Sequence, residues 1–152
     1  MIMKTIVALV DLSDLSFKVL TQAHALARAF DSQVIILHVV GPERVVVDVA
    51  LVSPTLMLDP SSELLEQDYA QLLEMRDSLL KSGVNASIRQ LERGSVETVL
   101  AETRKLEADL IILGSHYHST LYKLLVGSVT DDVLKRAHCP VLVVPADERA
   151  KE

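Results

Sequence analysis

Two glycine turns in the last third of the chain are the part of the sequence best suited to chemistry. The first is Gly114, which ends the run Ala-Asp-Leu-Ile-Ile-Leu-Gly-Ser, a pattern typical of a buried strand. The second is Gly127 with Ser128, which opens a helical pattern. A helix that begins at such a turn has unpaired backbone N–H groups at its N-terminus, and groups of this kind bind phosphate. The spacing therefore predicts an anion site between the strand that Gly114 follows and a helix beginning at Ser128.

Five short apolar runs alternate with helical patterns and position these turns. The predicted strands are Thr5–Val10, Gln33–Val40, Asn85–Leu91, Asp109–Leu113 and Val141–Val144. The first, fourth and fifth are continuously apolar, as expected where helices cover both faces of a sheet. The third alternates with polar residues, which is typical of an edge strand. The pattern predicts a single α/β domain over residues 1–152, a doubly wound parallel sheet with helices on both faces.

Four helices are predicted between the strands. Ser13, Ser95 and Ser128 are placed to cap the first, third and fourth helices, Pro60 opens the second, and Gly83 ends it. The residues expected to face inward are Val19, Ala23, Leu26, Ala27 and Phe30 in the first helix, Leu65, Tyr69, Leu72, Met75 and Leu79 in the second, Val96, Val99, Leu100, Thr103 and Leu106 in the third, and Val129, Val133 and Ala137 in the fourth.

The carboxyl ends of the strands are the expected place for a ligand. In sheets of this class, ligands bind where the strand order reverses. If the fourth strand lies beside the first, on the side away from the second, the reversal falls between strands one and four. Residues Asp11 to Ser13 and the stretch from Gly114 to Ser128 then face one crevice. An acidic turn and both glycine turns would meet there.

Composition excludes several functional classes. A formal net charge of -6 argues against a general nucleic-acid binder, which needs clustered Lys and Arg. No run approaches about 18 uninterrupted apolar residues, so no membrane span is expected. The lone Cys139 cannot form an internal disulfide and fits a reducing compartment. We therefore expect a soluble, cytoplasmic protein.

Catalytic and metal-binding patterns have little support. No G-x-S-x-G motif and no informative Ser/His/Asp arrangement occurs. The sequence His116-Tyr117-His118, with His138 and Cys139, lacks the ligand spacing of a structural zinc site. We expect neither a metal site nor an enzyme, beyond slow hydrolysis of a bound ATP or self-phosphorylation.

The segment Gly41–Leu58 is unusual because it carries three clusters of valine and leucine where a solvated loop is expected. A short extra helix or strand folded over the domain is the favoured interpretation. An oligomer contact and a flap over the crevice are the alternatives. We expect the segment to be partly ordered and buried, since its clusters would otherwise form a large exposed apolar patch.

Taken together, these runs resemble the universal stress protein family over nearly the whole chain. The resemblance lies in residues 7–13, 37–40, 108–115, 125–134 and 138–145. It implies the strand order 3-2-1-4-5, a homodimer through Val141–Val144, and a role as a regulator in the stress response. It also implies a bound adenine nucleotide, either AMP or ATP with Mg²⁺. The nucleotide-binding residues that it implies are Asp11, Leu12, Val39, Gly114, His116, Tyr117, Gly127, Ser128 and Val129.

Tyr117 is the departure from the family's nucleotide motif. ATP-binding members carry G-x-x-G-x9-G-[S/T]; Gly114, Gly127 and Ser128 occupy the first, third and fourth positions, and Tyr117 the second. Glycine there allows φ > 0 or a close approach of the backbone to phosphate, and tyrosine is restricted in both respects. The loop length is intact, and His116 could supply a donor. An adenine nucleotide-binding protein and a nucleotide-free, dimeric interaction module both remain open.

Overall fold

The computed structural model describes residues 2–40, 62–92, 95–115 and 128–146; within them, the side chains of residues 62–65 and 128–129 are outside the description. The strands are β1 (Thr5–Val10), β2 (Gln33–Val40), β3 (Ala86–Glu92), β4 (Leu110–Gly114) and β5 (Val141–Val144). The helices are α1 (Leu15–Phe30), α2 (Ser62–Lys81), α3 (Val96–Lys105) and α4 (Ser128–Arg136). The segment Gly41–Leu58 lies outside the described residues, as does Pro60.

All neighbouring strands pair in parallel, in the order β3-β2-β1-β4-β5. The predicted α/β class and strand order are therefore confirmed, with the reversal between β1 and β4. The bounds of β1, β2 and β5 agree with the sequence, whereas β3 and β4 each begin and end one residue later than predicted. Asp109 lies just before β4, and its carboxylate accepts hydrogen bonds from the backbone N–H groups of Lys4 and Thr5.

Alternate residues of the central strand β1 face the two layers of helices, because successive side chains of a strand point to opposite faces. Ile6, Ala8 and Val10 belong to the core beneath α1 and α2. Val7 and Leu9 belong to the core beneath α3 and α4. Every residue of β1 is buried. The loop that follows β1 therefore starts from a strand that packing holds on both sides.

Two side chains that were expected in the core are half exposed. Phe30 is 50% exposed at the last residue of α1, where the chain turns back through Asp31 toward β2. Tyr69 is 46% exposed, which leaves a polar hydroxyl accessible to water. The buried stripe of α1 instead includes Leu20 and Ser16. The two predictions were wrong because helical periodicity sets the direction of a side chain and not how far the sheet extends beneath it.

Of the helix ends predicted at Gly83, Ser95 and Ser13, the structure has the first two as expected. Gly83 ends α2 at φ +86°, a conformation that favours glycine. The Ser95 side chain caps α3 by accepting a hydrogen bond from the backbone N–H of Thr98 at 3.2 Å. The cap predicted at Ser13 is wrong, because α1 begins after Asp14, whose side chain makes no capping bond. Among the residues described, no helix is both long and apolar enough to cross a bilayer.

Candidate functional site

β1 and β4 end at the same level where the strand order reverses. Their register pairs Ile6 with Leu110 and Ala8 with Ile112. Two residues further along, this register aligns Val10 with Gly114, the last residues of the two strands. Asp11 and Ser115 therefore begin two neighbouring loops at the carboxyl edge of the sheet, the position at which such folds bind ligands.

The Asp11 carboxylate is held by a group of donors from the following turn. Its Oδ1 accepts hydrogen bonds from the backbone N–H of Ser13 at 2.9 Å, from the Ser13 hydroxyl, and from the Ser16 hydroxyl at 3.1 Å. The Ser16 hydroxyl also accepts a hydrogen bond from the backbone N–H of Asp11 at 3.2 Å. The Ser13 hydroxyl thus binds Asp11, which is why it does not cap α1.

Leu12 sits inside this turn in a left-handed backbone conformation. Its φ of 65° is uncommon for any residue with a side chain. Such conformations persist only where the surrounding contacts fix them, and they cluster at functional sites. The fixing contacts here are the bonds from Ser13 and Ser16 to Asp11, together with packing of the Leu12 side chain on the core beneath α1.

Gly114 is required by packing between β4 and the first residue of α1. A Cβ atom at this position would lie 2.4 Å from Cδ2 and 2.8 Å from Cγ of Leu15. Both distances are far inside van der Waals contact. The first glycine of the motif therefore lets α1 approach the end of β4, which brings the Asp11 turn against the β4 edge of the crevice.

The start of α4 lies over the end of β4. The Thr130 hydroxyl donates a hydrogen bond to the carbonyl oxygen of Gly114 at 3.3 Å. The backbone N–H of Ser115 donates to the carbonyl of Val144 at 2.9 Å, and the Ser115 hydroxyl accepts from the backbone N–H of Ala146 at 3.1 Å. The bond from Thr130 places the N-terminal turn of α4 beside Gly114, and the two bonds of Ser115 join the end of β4 to the end of β5.

The structure brings together part of the predicted site. Asp11, Leu12 and Gly114 lie at the ends of β1 and β4, and the backbone of Ser128 and Val129 lies at the start of α4, which Thr130 joins to Gly114. The Val39 side chain is buried against the core beneath α3 and α4, so only its backbone could meet a ligand. His116, Tyr117 and Gly127 lie outside the described residues.

Sequence reasoning missed Leu15, Ser16 and Thr130, which shape the site. For Ser16 a signal exists, since acceptor and hydroxyls are spaced as Asp-x-Ser-x-x-Ser over residues 11–16. Ser16 also falls on the apolar stripe of α1, where a buried hydroxyl needs a partner. For Leu15 and Thr130, which contact β4, the local sequence offers no signal.

Cys139 and His138 lie away from the crevice, near the amino end of β5. Burial, with a smaller contribution from the charge of Asp109, raises the pKa of the Cys139 thiol. A thiol of this kind is mostly protonated at neutral pH and is a poor nucleophile. Among the side chains described, no three metal-ligating groups come together.

Comparison with known proteins decides the family. The model of the universal stress protein family matches residues 3–145. The chain belongs to the universal stress protein family. Universal stress protein MJ0531 of Methanocaldococcus jannaschii is 33% identical over 148 residues, covering 93% of this chain and 81% of that protein.

Solved structures share the fold. That of the protein MJ0577 gives a TM-score of 0.78 at 24% identity and covers 97% of this chain and 99% of its own. A universal stress protein in complex with cAMP gives 0.67 at 24% identity, covering 95% of this chain and 98% of its own. The Archaeoglobus fulgidus protein in complex with dAMP gives 0.64 at 23% identity, covering 94% and 98%. Two of these universal stress proteins have thus been solved in complex with adenine nucleotides.

Proposed function

We propose that this universal stress protein binds an adenine nucleotide, AMP or ATP with Mg²⁺, in the crevice between β1 and β4. In this proposal it acts in the cytoplasm as a dimeric regulator in the stress response and not as an enzyme. The observation that carries the proposal is the meeting of the Asp11 turn and the N-terminal turn of α4 at the carboxyl edge of the sheet. The complexes of relatives with cAMP and dAMP support it.

The two sides of the crevice suit different parts of a nucleotide. The N-terminus of α4 favours an anion through unpaired N–H groups and the helix dipole, so we assign the phosphates to the amides of Gly127, Ser128 and Val129. An ionised carboxylate only accepts hydrogen bonds, so we assign the ribose hydroxyls to Asp11. The backbone of Leu12 and Val39 is assigned to the adenine side, and His116 to a phosphate or ribose contact.

The same groups support binding more than catalysis. In the part of the crevice that the structure describes, a carboxylate held by serine donors can orient the ribose of a nucleotide, and a helix N-terminus can stabilise the charge of its phosphates. Efficient hydrolysis would also need a group that activates the attacking water. We therefore propose at most slow ATP hydrolysis or self-phosphorylation.

Calorimetry with ATP and AMP, on this chain and on Tyr117→Gly, tests nucleotide binding. If the tyrosine ring points away from the phosphates, the natural chain binds both nucleotides. If the ring occupies the phosphate space, AMP binds better than ATP, and ATP binding appears only in the glycine variant. Failure of both chains to bind either nucleotide at millimolar concentration would refute the proposal and favour the nucleotide-free interaction module.

A matched pair of acid variants assigns the ribose contact. Asp11→Asn should weaken nucleotide binding about tenfold, because an amide is a weaker acceptor than a carboxylate and disturbs the bonds from Ser13 and Ser16. Asp14→Asn is the control, since Asp14 is an exposed acid in the same turn without a capping bond. Equal losses of nucleotide affinity in the two variants would mean that the net charge of the turn, and not the position of Asp11, determines binding.

The two edges of the sheet differ in a way that supports dimerisation through β5. At the β3 edge, Arg89 and Glu92 are exposed charges, which discourage pairing with another strand. The β5 edge consists of Val141–Val144, apolar throughout, and only Val144 is buried. Antiparallel pairing of two copies of β5 would cover this edge and satisfy its outward backbone groups.

Val143→Pro should convert the proposed dimer into a monomer. The bonds from Ile111 N–H to Pro140 C=O and from Ser115 N–H to Val144 C=O show which residues of β5 face β4. The backbone groups of successive residues in a strand point alternately to its two sides, so the N–H of Val143 points to the open edge. Proline there removes an outward donor without removing a bond to β4, and sedimentation reports the change. Val143→Ala, which keeps the N–H, should remain a dimer. A dimer that survives the proline places the interface elsewhere.

A further inference from the structure

We infer that Ser16 is a positioning residue of the nucleotide site, because it fixes the Asp11 carboxylate in the orientation in which that group meets the ligand. The inference rests on the proposed function, since a positioned carboxylate matters to binding only if a nucleotide enters the crevice. It adds a residue that neither touches the proposed ligand nor faces the opening.

Ser16 is only 2% exposed, on a face of α1 whose other buried residues are apolar. Burying a hydroxyl in such surroundings is unfavourable unless it is hydrogen bonded. Both bonds found for Ser16 Oγ go to one residue: it accepts from the Asp11 backbone N–H at 3.2 Å and donates to Asp11 Oδ1 at 3.1 Å. Ser16 thereby bridges the backbone N–H and the carboxylate of Asp11.

The orientation of the carboxylate is thus fixed before a ligand arrives. Rotation about the side-chain torsions of Asp11 would break the bond from Ser16 and the two from Ser13 together. The left-handed conformation of Leu12 would relax at the same time. A group held in this way loses little conformational entropy when a ligand binds, and this preorganisation raises affinity.

The titratable side chains on the elements around this turn include Asp14 on the turn itself, Lys18 on α1 and His38 on β2, whose strand position pairs with Val10. Asp14 is exposed, and His38 is buried within 3.4 Å of the Gln90 side chain. Hydrogen bonds donated to a carboxylate favour its ionised form, and the serines supply three such bonds to Asp11. Loss of Ser16 should make the carboxylate easier to protonate.

A double-mutant cycle with AMP as the probe tests the inference. Ser16→Ala should raise the Kd for AMP about tenfold in the natural background, as expected for loss of a hydrogen bond to a charged group. In an Asp11→Asn background, the same change should alter the Kd less than about twofold, because Ser16 acts through the carboxylate. Ser13→Ala, which removes the other hydroxyl bond to Asp11 and keeps the backbone bond, should also act only in the background that retains the carboxylate.

The titration of Asp11, followed by carboxyl-carbon NMR without nucleotide, is the second measurement. Ser16→Ala should move the midpoint to higher pH, and the acid limb of AMP binding should move with it. Similar losses of affinity in both backgrounds, or an unchanged midpoint, would overturn the positioning role. If Ser16→Ala does not fold, Ser16→Cys, whose thiol is a weaker donor and acceptor than the hydroxyl, is measured by the same two criteria. If the natural chain binds no AMP, the proposed function fails, and the midpoint alone decides whether Ser16 positions Asp11.

Discussion

Replacing Gly114 with alanine should lower the free energy of unfolding by about 2 kcal/mol, the typical cost of overpacking a well-packed site. The new Cβ would lie 2.4 Å from Cδ2 and 2.8 Å from Cγ of Leu15, so the leucine or the start of α1 must move. Chemical denaturation of the two proteins measures the difference. A change below about 0.5 kcal/mol would show that α1 adjusts freely, as substitutions without a structural role do.

Shortening the neighbour should rescue this variant. Leu15→Ala alone should destabilise the protein because Leu15 packs against the core beneath α1 and α2. Combined with Gly114→Ala, it should cost at least about 1 kcal/mol less than the sum of the single changes, because the clash is gone. Additive effects would contradict the close approach as the reason for glycine.

Gly83 provides a matched control for the rescue. Its φ of +86° makes alanine unfavourable there through backbone strain, and the nearest atom to a new Cβ is Arg28 Nη1 at 3.6 Å. Gly83→Ala should therefore destabilise the protein, and shortening Arg28 should not rescue it. Comparing the two rescue experiments distinguishes a glycine that is needed because a side chain would clash, Gly114, from one that is needed for its backbone conformation, Gly83.

Replacing Asp109 with alanine should cost about 2 kcal/mol, the range for losing hydrogen bonds to a charged acceptor. Its Oδ2 accepts from the backbone N–H of Lys4 at 2.8 Å and of Thr5 at 2.9 Å, and its own N–H donates to the carbonyl of Thr5 at 2.8 Å. The side chain thus joins the starts of the two central strands. Thr5 is buried, so its N–H could not readily bond to water instead.

Denaturant unfolding of Asp109→Ala and Asp109→Asn measures this contribution. Asparagine keeps a neutral acceptor oxygen and should cost about half as much as alanine, since bonds to charged groups are the stronger ones. Both variants remove the charge that contributes to the raised pKa of Cys139, so the thiol should react faster with alkylating reagents. Equal stability of all three proteins would mean that the carboxylate does not join the strands.

The sequence by itself determined the fold class and the approximate bounds of the strands. Continuous apolar runs predict strands buried on both faces, and the bounds of β1, β2 and β5 agree with them. Gly83 and Ser95 were found because a left-handed residue and a capping hydroxyl depend on neighbours a few positions away. The resemblance to the family supplied the strand order, which local patterns alone leave open.

Only the tertiary structure decided what the site residues do. Gly114 appears in the sequence as part of a phosphate motif, but its contact with Leu15 joins positions 99 residues apart, 114 − 15, which no periodicity can detect. Ser13 was assigned to the helix cap, yet its hydroxyl binds Asp11, because the closing turn brings a charged acceptor within its reach. The exposure of Phe30 likewise depends on where the sheet ends beneath α1. Residue types fix which contacts are possible, and packing of distant segments selects among them.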